Sequence, residues 1–298
     1  MPFSVVPHSK LFSTLFRSLP LRPGLTAAIL ATACAALAQP AAADEKPLWE
    51  AGLGVGGLVM PDYRGSSQSR AYALPMPYFV YRGEFLKADR NGVRGTLLDT
   101  DRVELNISGA ASLPVHSDKN DARQGMTDLK PTVEVGPSLD VNLWRTADHR
   151  TKLDLRLPVR AAFTVESSPK SLGWVFSPRL NLDVEDVAGF NGWNLGLLAG
   201  PLFQSRRYND YFYSVAPQYA AAGRPAYQAG GGYAGTQVLS SLSKRFKSTW
   251  VGAFVRWDTL KGATFEDSPL VRRDQYLAAG LAVAWVLGES SRKVEWDY

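Results

Sequence analysis

The stretch LDLRLPVRAAFTV, residues 153–165, places an apolar side chain at nearly every second position and sets Asp154, Arg156 and Arg160 between them. Successive side chains of a β-strand point to opposite sides of the sheet, so this alternation predicts a strand with one apolar and one polar face. Strands of soluble proteins most often have about five or six residues, whereas a tilted strand that crosses a membrane needs roughly 9 to 11. The length of the run therefore favours a membrane strand.

The same two-residue period recurs along the chain, notably over residues 103–113, 133–143 and 277–287. After residue 44 the sequence contains no run of about 18 apolar residues, so it offers no helical membrane span. Turn residues separate the alternating runs and predict about twelve strands, at residues 48–59, 71–82, 84–90, 92–99, 101–113, 130–144, 150–165, 172–184, 193–205, 231–244, 248–260 and 274–287. The predicted fold is all-β, a transmembrane antiparallel up-and-down β-barrel over residues 44–298.

The connections between the predicted strands differ in length at the two ends of the barrel. An even number of strands puts both chain ends on one side of the membrane, which in bacterial barrels is the periplasm. This assigns the three longest connections, residues 114–129, 206–230 and 261–273, to the outer side. The short connections fall on the inner side, at residues 82–83, 100, 145–149, 185–192 and 245–247. Short periplasmic turns with longer outer loops are typical of outer-membrane proteins.

The first 43 residues differ in composition from the rest of the chain. Three basic residues precede an apolar run over residues 25–37, and no acidic residue occurs before Asp44. Such a segment predicts a cleaved secretory signal peptide over residues 1–43, with cleavage between Ala43 and Asp44. Cleavage after Ala38, and a true start codon farther along the chain, stay open as alternatives. The apolar run is too short to cross a membrane as a helix, which needs about 20 residues.

Composition and charge exclude several classes of function. The predicted signal peptide carries three of the 33 basic residues and none of the 28 acidic ones, so the net charge of the mature chain is near +2, from 30 basic and 28 acidic residues. Lysine and arginine do not cluster into the stripe that nucleic acid requires, so no nucleic-acid partner is expected. The single cysteine, Cys34, lies in the predicted signal peptide, so neither disulfides nor thiol chemistry are expected in the mature protein.

Two groups of side chains are candidates for a catalytic or a metal site. His116 and Ser117 could form an activated nucleophile, but adjacent strand residues point to opposite faces, so the pair predicts no catalysis. Asp118, Asp121 and Asp128 could hold calcium through carboxylate oxygens, which hard cations prefer. Their spacing matches no defined calcium loop, and a solvated polar loop is the preferred interpretation. We therefore predict a protein that is not an enzyme, with no catalytic, cofactor-binding or metal site.

Charged residues on the polar faces of the predicted strands are the main candidate site, because in a closed barrel they line the lumen. These residues are Glu104, Glu134, Asp140, Asp154, Arg156, Arg160, Arg179 and Asp183. In a passive pore such charges tune solute selectivity, whereas in a scaffold they pair with one another and fill a narrow interior. A barrel of about twelve strands lies between small filled barrels and open porins, so the sequence leaves both possibilities open.

The last predicted strand carries a candidate assembly signal. Gly280, Val283 and Trp285 have the spacing of the apolar and aromatic residues that end outer-membrane barrels, which predicts recognition by the barrel assembly machinery. Tryptophan and tyrosine also crowd the strand ends, as is typical where a barrel meets outer-membrane lipid at the membrane–water interface. The tail that follows, residues 288–298, stays open as either a periplasmic extension or the closing strand.

Three segments near the start of the predicted barrel resemble one known family. They are the glycine-rich strand GLGVGG at residues 52–57, the loop PDYRGS at 61–66 and the proline-spaced strand LPMPYFVYRG at 74–83. Together they resemble the family of MltA-interacting protein (MipA) and outer membrane protein V (OmpV). The resemblance covers essentially the whole mature chain and is clearest in residues 49–113.

What the resemblance implies is an outer-membrane β-barrel that in some members acts as a scaffold in peptidoglycan turnover. The scaffold brings a lytic transglycosylase together with a bifunctional penicillin-binding synthase. Other relatives are tied to osmotic or stress response, adhesion or drug susceptibility. We therefore predict a non-enzymatic scaffold of the Gram-negative cell envelope, with a porin-like diffusion channel as the alternative. Adhesion is a third possibility, through the tyrosine-rich outer loop 208–213, whose deletion should then weaken attachment without harming folding.

Overall fold

The structure is a computed structural model that describes residues 45–83, 85–89 and 92–295. The signal peptide predicted over residues 1–43 and its cleavage site at Ala43 and Asp44 lie outside the described residues, so both stay predictions.

Fifteen β-strands and one short α-helix make up the described chain. The strands are β1 Glu45–Pro47, β2 Trp49–Pro61, β3 Ser69–Arg82, β4 Leu86–Asp89, β5 Gly92–Asp99, β6 Val103–Ser112, β7 Thr132–Arg145, β8 Thr151–Thr164, β9 Ser171–Phe176, β10 Arg179–Val184, β11 Trp193–Gln204, β12 Gly232–Phe246, β13 Thr249–Thr259, β14 Gln275–Glu289 and β15 Lys293–Glu295. The helix, α1, is Arg206–Tyr213, and single 3₁₀ turns occur at Ser117–Lys119, Val187–Gly189 and Pro217–Tyr219. Among the described residues, no helix has the length and apolar character of a membrane span.

Strands β2 to β14 form one closed antiparallel sheet in which each strand except β9 and β10 pairs with its neighbours in sequence. The ring closes where β14 pairs with β2, from Ala279 opposite Val59 to Glu289 opposite Glu50. Strands β9 and β10 occupy a single position between β8 and β11, so the barrel has twelve strand positions. The predicted twelve-stranded antiparallel barrel is confirmed.

One predicted strand differs from the structure in its continuity. Residues 172–184 were expected to form a single strand, but Ser177 and Pro178 interrupt it between β9 and β10. Proline has no N–H group and cannot donate to a sheet ladder, which explains a break at this position. Opposite the break, a Cβ atom at Gly200 of β11 would lie 2.1 Å from the Pro178 carbonyl oxygen. Only glycine lets the two backbones approach this closely.

The apolar face of the sheet points outward. Leu281 and Trp285 of β14 pair across the ladder with Gly57 and Leu53 of β2, and the three large side chains among them are exposed. Because the wall is apolar on the outside, it can lie in lipid while the paired strands make their ladder hydrogen bonds within the protein.

The two described ends of the chain meet at one end of the barrel, which we call the inner end. There β1 and β15 form a separate antiparallel pair, with Glu45 opposite Glu295. The tail after β14 is therefore not the closing strand of the barrel, because β14 itself pairs with β2. The long loops predicted at residues 114–129, 206–230 and 261–273 lie at the opposite, outer end.

Candidate functional site

The main apolar core of the molecule lies in its outer loops. We call the loops 62–68, 113–131, 205–231 and 260–274 the outer cap. Tyr213 and Phe265 stack with ring centroids 3.8 Å apart, and Tyr63 meets Tyr213 edge to face at 6.4 Å. The buried apolar side chains of the cap are Tyr63, Val115, Ala122, Leu129, Tyr208, Phe212, Tyr213, Val215, Ala229, Leu260, Ala263, Phe265 and Leu270. Buried aromatic and aliphatic area of this kind gives the loops a fixed structure.

Helix α1 supplies several of these buried rings. The Ser205 hydroxyl caps the helix by accepting a hydrogen bond from the Tyr208 backbone N–H at 3.4 Å, as serine commonly does at this position. Tyr208, Phe212 and Tyr213 fall on one side of the helix and are buried. Helical spacing gathers these three rings on one face, so the tyrosine-rich segment 208–213 is part of the packed core. The effect of deleting it stays a prediction.

Arg64 ties the cap to the barrel wall. Its Nη1 donates to the Ala234 carbonyl oxygen at 2.8 Å, and its Nε lies 3.0 Å from the Tyr276 hydroxyl and 3.3 Å from Oδ1 of Asp258. The Asp258 carboxylate is fully buried and also accepts from Arg256 Nε at 2.8 Å. A buried charge needs such partners, so this cluster fixes the position of the loop 62–68.

The loops also bind one another across the outer mouth of the barrel. Arg123, in the loop between β6 and β7, donates from Nη1 to the Phe212 carbonyl oxygen at 3.1 Å. Asn120 of the same loop donates to Asp62 Oδ2 at 2.8 Å, and Arg224 donates to the Gln124 carbonyl oxygen at 2.8 Å. These contacts join loops that leave the ring at separate places. The outer mouth is therefore covered by packed protein.

Burial changes the titration of the cap. It raises the pKa of Tyr63 to about 12 and also raises the pKa values of Tyr208 and Tyr213, because a phenolate would be poorly solvated there. Burial lowers the pKa of Arg123 for the corresponding reason. The cap thus favours neutral phenols.

His116 and Ser117 do not form a nucleophilic pair. The His116 Nδ1 atom lies 3.2 Å from Asp128 Oδ2, whereas the Ser117 hydroxyl is buried and donates to the Thr127 carbonyl oxygen at 2.8 Å. The Ser117 backbone N–H donates to Asp128 Oδ1 at 2.7 Å, and this hydrogen bond holds the pKa of the Asp128 carboxyl below its usual range. The arrangement orders the loop and leaves Ser117 without a base.

The three aspartates weighed as calcium ligands are only partly brought together. Possible ligand atoms of His116, Asp118 and Asp128 lie within 4.8 Å of one another, and all three residues are exposed. Asp121 is not part of this group; its backbone N–H instead donates to Gln68 Oε1 of another loop at 2.6 Å. Exposed acidic groups commonly lie together without an ion, and the solvated polar loop stays a prediction.

All eight predicted lumen charges lie on the inward face of the sheet, which we call the charged inner wall. Arg156 is its centre, with guanidinium nitrogens 3.7 Å from carboxylate oxygens of Asp140, Asp154 and Asp183. Glu104 lies opposite Asp140 across the ladder between β6 and β7, so two carboxylates are adjacent there. Arg156 is compensated by carboxylates of its own strand, β8, and of the neighbouring strands β7 and β10.

The part of this wall nearest the outer end of the barrel contacts the outer cap. Arg160 Nη1 lies 3.9 Å from Glu134, and Glu134 accepts from the Tyr208 hydroxyl of α1 at 2.9 Å. Arg179 lies directly opposite Arg156 in the ladder, and its buried Nε has no hydrogen-bond partner among the described residues. Like charges in opposite positions destabilise a sheet, so the three carboxylates around Arg156 offset a local excess of positive charge.

Sequence reasoning missed a second inward cluster, at the inner end. Glu50 accepts from Arg82 Nη2 at 2.7 Å and lies 3.2 Å from Arg245 Nη2. Arg94 donates to Glu104 at 3.0 Å nearby on the wall. The sequence did indicate that Glu50 faces inward, because it is even-numbered like Gly52, Gly54 and Gly56, and the even-numbered residues of β2 point into the barrel. Its partners could not be read from the sequence, since they depend on how the ring closes.

The proposed assembly residues lie on β14. Val283 pairs with Val55 across the closing ladder, Trp285 is exposed on the outer face, and Gly280 faces inward. A Cβ atom at Gly280 would lie 2.5 Å from a ring carbon of Phe254, so glycine makes room for that ring. Recognition of the three residues by the assembly machinery stays a prediction.

Comparisons with known proteins agree with this architecture. The chain is 25% identical over 214 residues to outer membrane protein OmpV of Vibrio cholerae serotype O1 and 24% identical to outer membrane protein Omp26La of Vibrio anguillarum, in each case covering 70% of this chain and 76% of the relative. Similar solved structures include a bacterial polysaccharide outer membrane secretin (TM-score 0.38, 9% identity, 80% of this chain and 99% of that one) and the CymD monoaromatic hydrocarbon channel (TM-score 0.28, 11% identity, 86% and 71%). These TM-scores are low, and nothing further rests on them.

The closed barrel, its apolar outer face and the relatives named as outer membrane proteins place this chain in the outer membrane. The family model described as MltA-interacting protein MipA matches residues 53–287, which is most of the described barrel. The chain therefore belongs to the MipA family.

Proposed function

We propose that this barrel is a non-conducting scaffold that holds a murein hydrolase of the MltA type on the periplasmic side of the outer membrane. The family name supports an MltA-like partner. A penicillin-binding synthase as a second partner follows from the resemblance of the sequence. This role requires a stable binding surface on the protein and no catalytic group.

The observation that carries the proposal is the covered outer mouth together with the paired charges of the inner wall. The outer cap covers the outer mouth, and Arg156 is compensated by Asp140, Asp154 and Asp183. In a diffusion channel the wall charges face a continuous column of water, whereas here they face one another and Tyr208 of the cap. This arrangement favours the scaffold over the channel.

Burial of the aromatic residues in α1 counts against adhesion through that segment. Phe212 and Tyr213 are buried in the core of the cap, and the Tyr211 hydroxyl accepts from the Lys130 backbone N–H at 2.7 Å. A surface that binds a host or another cell would present such rings to solvent. Their role in this protein is to hold the cap together.

The inner end is the surface available to a periplasmic enzyme. Its exposed ion pair joins Lys293 of β15 to Glu45 of β1 at 3.9 Å. The outer end offers a matched pair, Lys261 with Asp274 at 3.7 Å. The side chains of the two lysines are similarly exposed, at 59% and 62%. They allow the same charge change to be made at either end of the barrel.

The test compares Lys293→Glu with Lys261→Glu in affinity capture of an MltA-type transglycosylase from gently solubilised envelopes. The scaffold proposal expects Lys293→Glu to lower the recovered enzyme by about ten-fold, because rim charges govern orientation and encounter, while Lys261→Glu leaves recovery unchanged. Absence of the enzyme from the wild-type eluate would overturn the proposal.

Conductance of the same preparation in planar bilayers separates the scaffold from the channel. The covered outer mouth predicts no steady current through the wild-type protein. Steady channels together with an empty eluate would instead assign the protein to porin-like diffusion.

A further inference from the structure

The barrel wall is incomplete on one side. Strand β3 has 14 residues, yet it pairs with β4 only at Tyr81 and Arg82. On the far side of the short hairpin, β5 pairs with β6 only from Glu104 to Ile107. Among the described residues, 69–80 of β3 and 108–112 of β6 have no ladder partner on the sides that face the hairpin. We call this gap in the outer half of the wall the lateral notch.

The sequence of β3 is adapted to an unpaired edge. The Arg82 backbone N–H donates to Leu48, and the register with β2 is unbroken from Trp49–Tyr81 to Pro61–Ser69. Backbone groups alternate in direction along a strand, so even-numbered residues of β3 bond to β2 and odd-numbered residues face the notch. Pro75 and Pro77 are odd-numbered and have no N–H group. They remove two donors that lipid could not satisfy.

The same prolines argue against a protein strand in the notch. An added strand needs a regular series of backbone donors and acceptors along the edge, and proline is one of the devices that block such pairing. On the opposite rim, Gly109 and Ala111 of β6 are exposed and small. The notch is therefore bordered on one side by an edge of β3 that resists strand pairing, and on the other by small residues of β6 that do not block the opening.

Behind the notch lies an inward surface of small and apolar residues, which we call the apolar inner wall. It consists of Leu74, Met76, Gly56, Leu58, Ala282 and Phe254. Leu74 faces inward by its parity and is still 40% exposed, so space lies against it. The Glu50–Arg82 pair bounds this surface at the inner end and the Arg64–Asp258 pair at the outer end.

We propose that an acyl chain of a lipid in the outer leaflet enters through the lateral notch and lies against the apolar inner wall. The notch opens in the lipid-facing surface at the depth of the outer half of the barrel, where acyl chains surround it. The hydrophobic effect favours an acyl chain over water against Leu74 and Met76. The outer cap covers the alternative route from the aqueous side. The proposal goes beyond the scaffold role and does not depend on any murein enzyme.

The test places the photo-crosslinking residue p-benzoylphenylalanine at Leu74 in the full chain, followed by irradiation of intact envelopes. The control position is Leu198 of β11, which also faces inward but pairs with Asn181 on the charged half of the barrel. A lipid adduct at position 74 and none at position 198 is the expected result. A protein adduct at 74, no adduct there, or equal lipid adducts at both positions would overturn the proposal.

Two neighbouring glycines, one facing inward and one outward, test whether a lipid occupies the space against the apolar inner wall. A Cβ atom at Gly56 points inward, has no atom closer than 3.5 Å and lies 4.0 Å from Met76 Sδ, whereas one at Gly57 points outward with only the Tyr72 carbonyl oxygen at 3.9 Å. Gly56→Leu should lower the lipid adduct at position 74 by about ten-fold, since two groups cannot fill one space, while Gly57→Leu should leave it unchanged. Equal effects of the two variants would contradict the proposal. Heat-modifiable migration on gels checks folding, and if Gly56→Leu does not fold, the contrast between positions 74 and 198 decides alone.

Discussion

At the scale of single residues, this barrel depends on charges that are buried together with their partners. Arg64 and Asp258 are separated by 194 residues in the sequence and meet beneath the outer cap. A buried carboxylate that loses a partner keeps its desolvation cost, so such contacts matter more to stability than exposed pairs do.

We predict that Arg64→Ala lowers the free energy of unfolding by about 2 kcal/mol or more, the range for hydrogen bonds to charged groups. Arg256 still contacts Asp258 at 2.8 Å, which limits the loss. Urea unfolding in lipid vesicles measures it. The control is Arg206→Ala, which removes an exposed pair with Asp210 at 3.7 Å and should change stability by less than about 0.5 kcal/mol. Equal effects of the two variants would show that Arg64 does not anchor the cap.

We also predict that the protein loses stability at alkaline pH through its buried phenols. Burial raises the pKa of Tyr63 to about 12, above the value of about 10 in the unfolded chain. A raised folded pKa means that this contribution is full below pH 10 and is lost as the pH rises towards 12. In Tyr63→Phe, the free energy of unfolding should fall less steeply with pH over this range. The difference in slope should correspond to about one bound proton. An unchanged slope would contradict the assignment.

At the scale of elements, proline decides where the sheet is interrupted. Pro178 separates β9 from β10, and Pro75 and Pro77 occupy the edge of β3 that faces the lateral notch. Helix α1 shows the opposite case, in which a segment expected to be an exposed loop becomes ordered because its rings share one face. Local sequence thus sets the breaks and the helix, while packing decides what each of them covers.

We predict that replacing residues 206–230 by a short glycine–serine linker uncovers the inner face of the barrel. Ala162 of β8 is fully buried against the cap, so a cysteine at this position should resist a water-soluble maleimide in intact cells and react once the loop is shortened. Gln124→Cys, on an exposed part of the cap, should react in both backgrounds. Labelling of Ala162→Cys with the full loop present would show that the cap is open.

At the scale of the whole molecule, the barrel separates an aqueous end from a lipid-facing side. The outer cap covers the route along the barrel axis at its outer end and the charged inner wall lines one side of it, while the lateral notch opens towards the membrane. The inward face is correspondingly divided. Strands β6 to β10 carry charge, and β13, β14, β2 and β3 carry glycine, alanine and apolar side chains between two ion-pair clusters. This division supports a protein that binds and positions partners, and it gives little support to bulk solute flow.

The strands, their two faces and the long loops at one end could be predicted from the sequence. These features depend on side chains two positions apart and on turn residues between runs, and both are local properties of the chain. The inward position of residues such as Asp154 and Arg156 follows directly from that alternation.

Which charges meet, what the loops cover and where the wall is incomplete could not be predicted, because these features arise from the folded arrangement of the whole chain. Arg245 forms an ion pair with Glu50, and Arg64 forms one with Asp258, because the ring closes between β14 and β2. The cap exists because four loops that are distant in sequence share one core. The lateral notch exists because a short hairpin stands beside the long strand β3. Each of these depends on contacts between distant segments, and a repeat of two residues carries no information about such contacts.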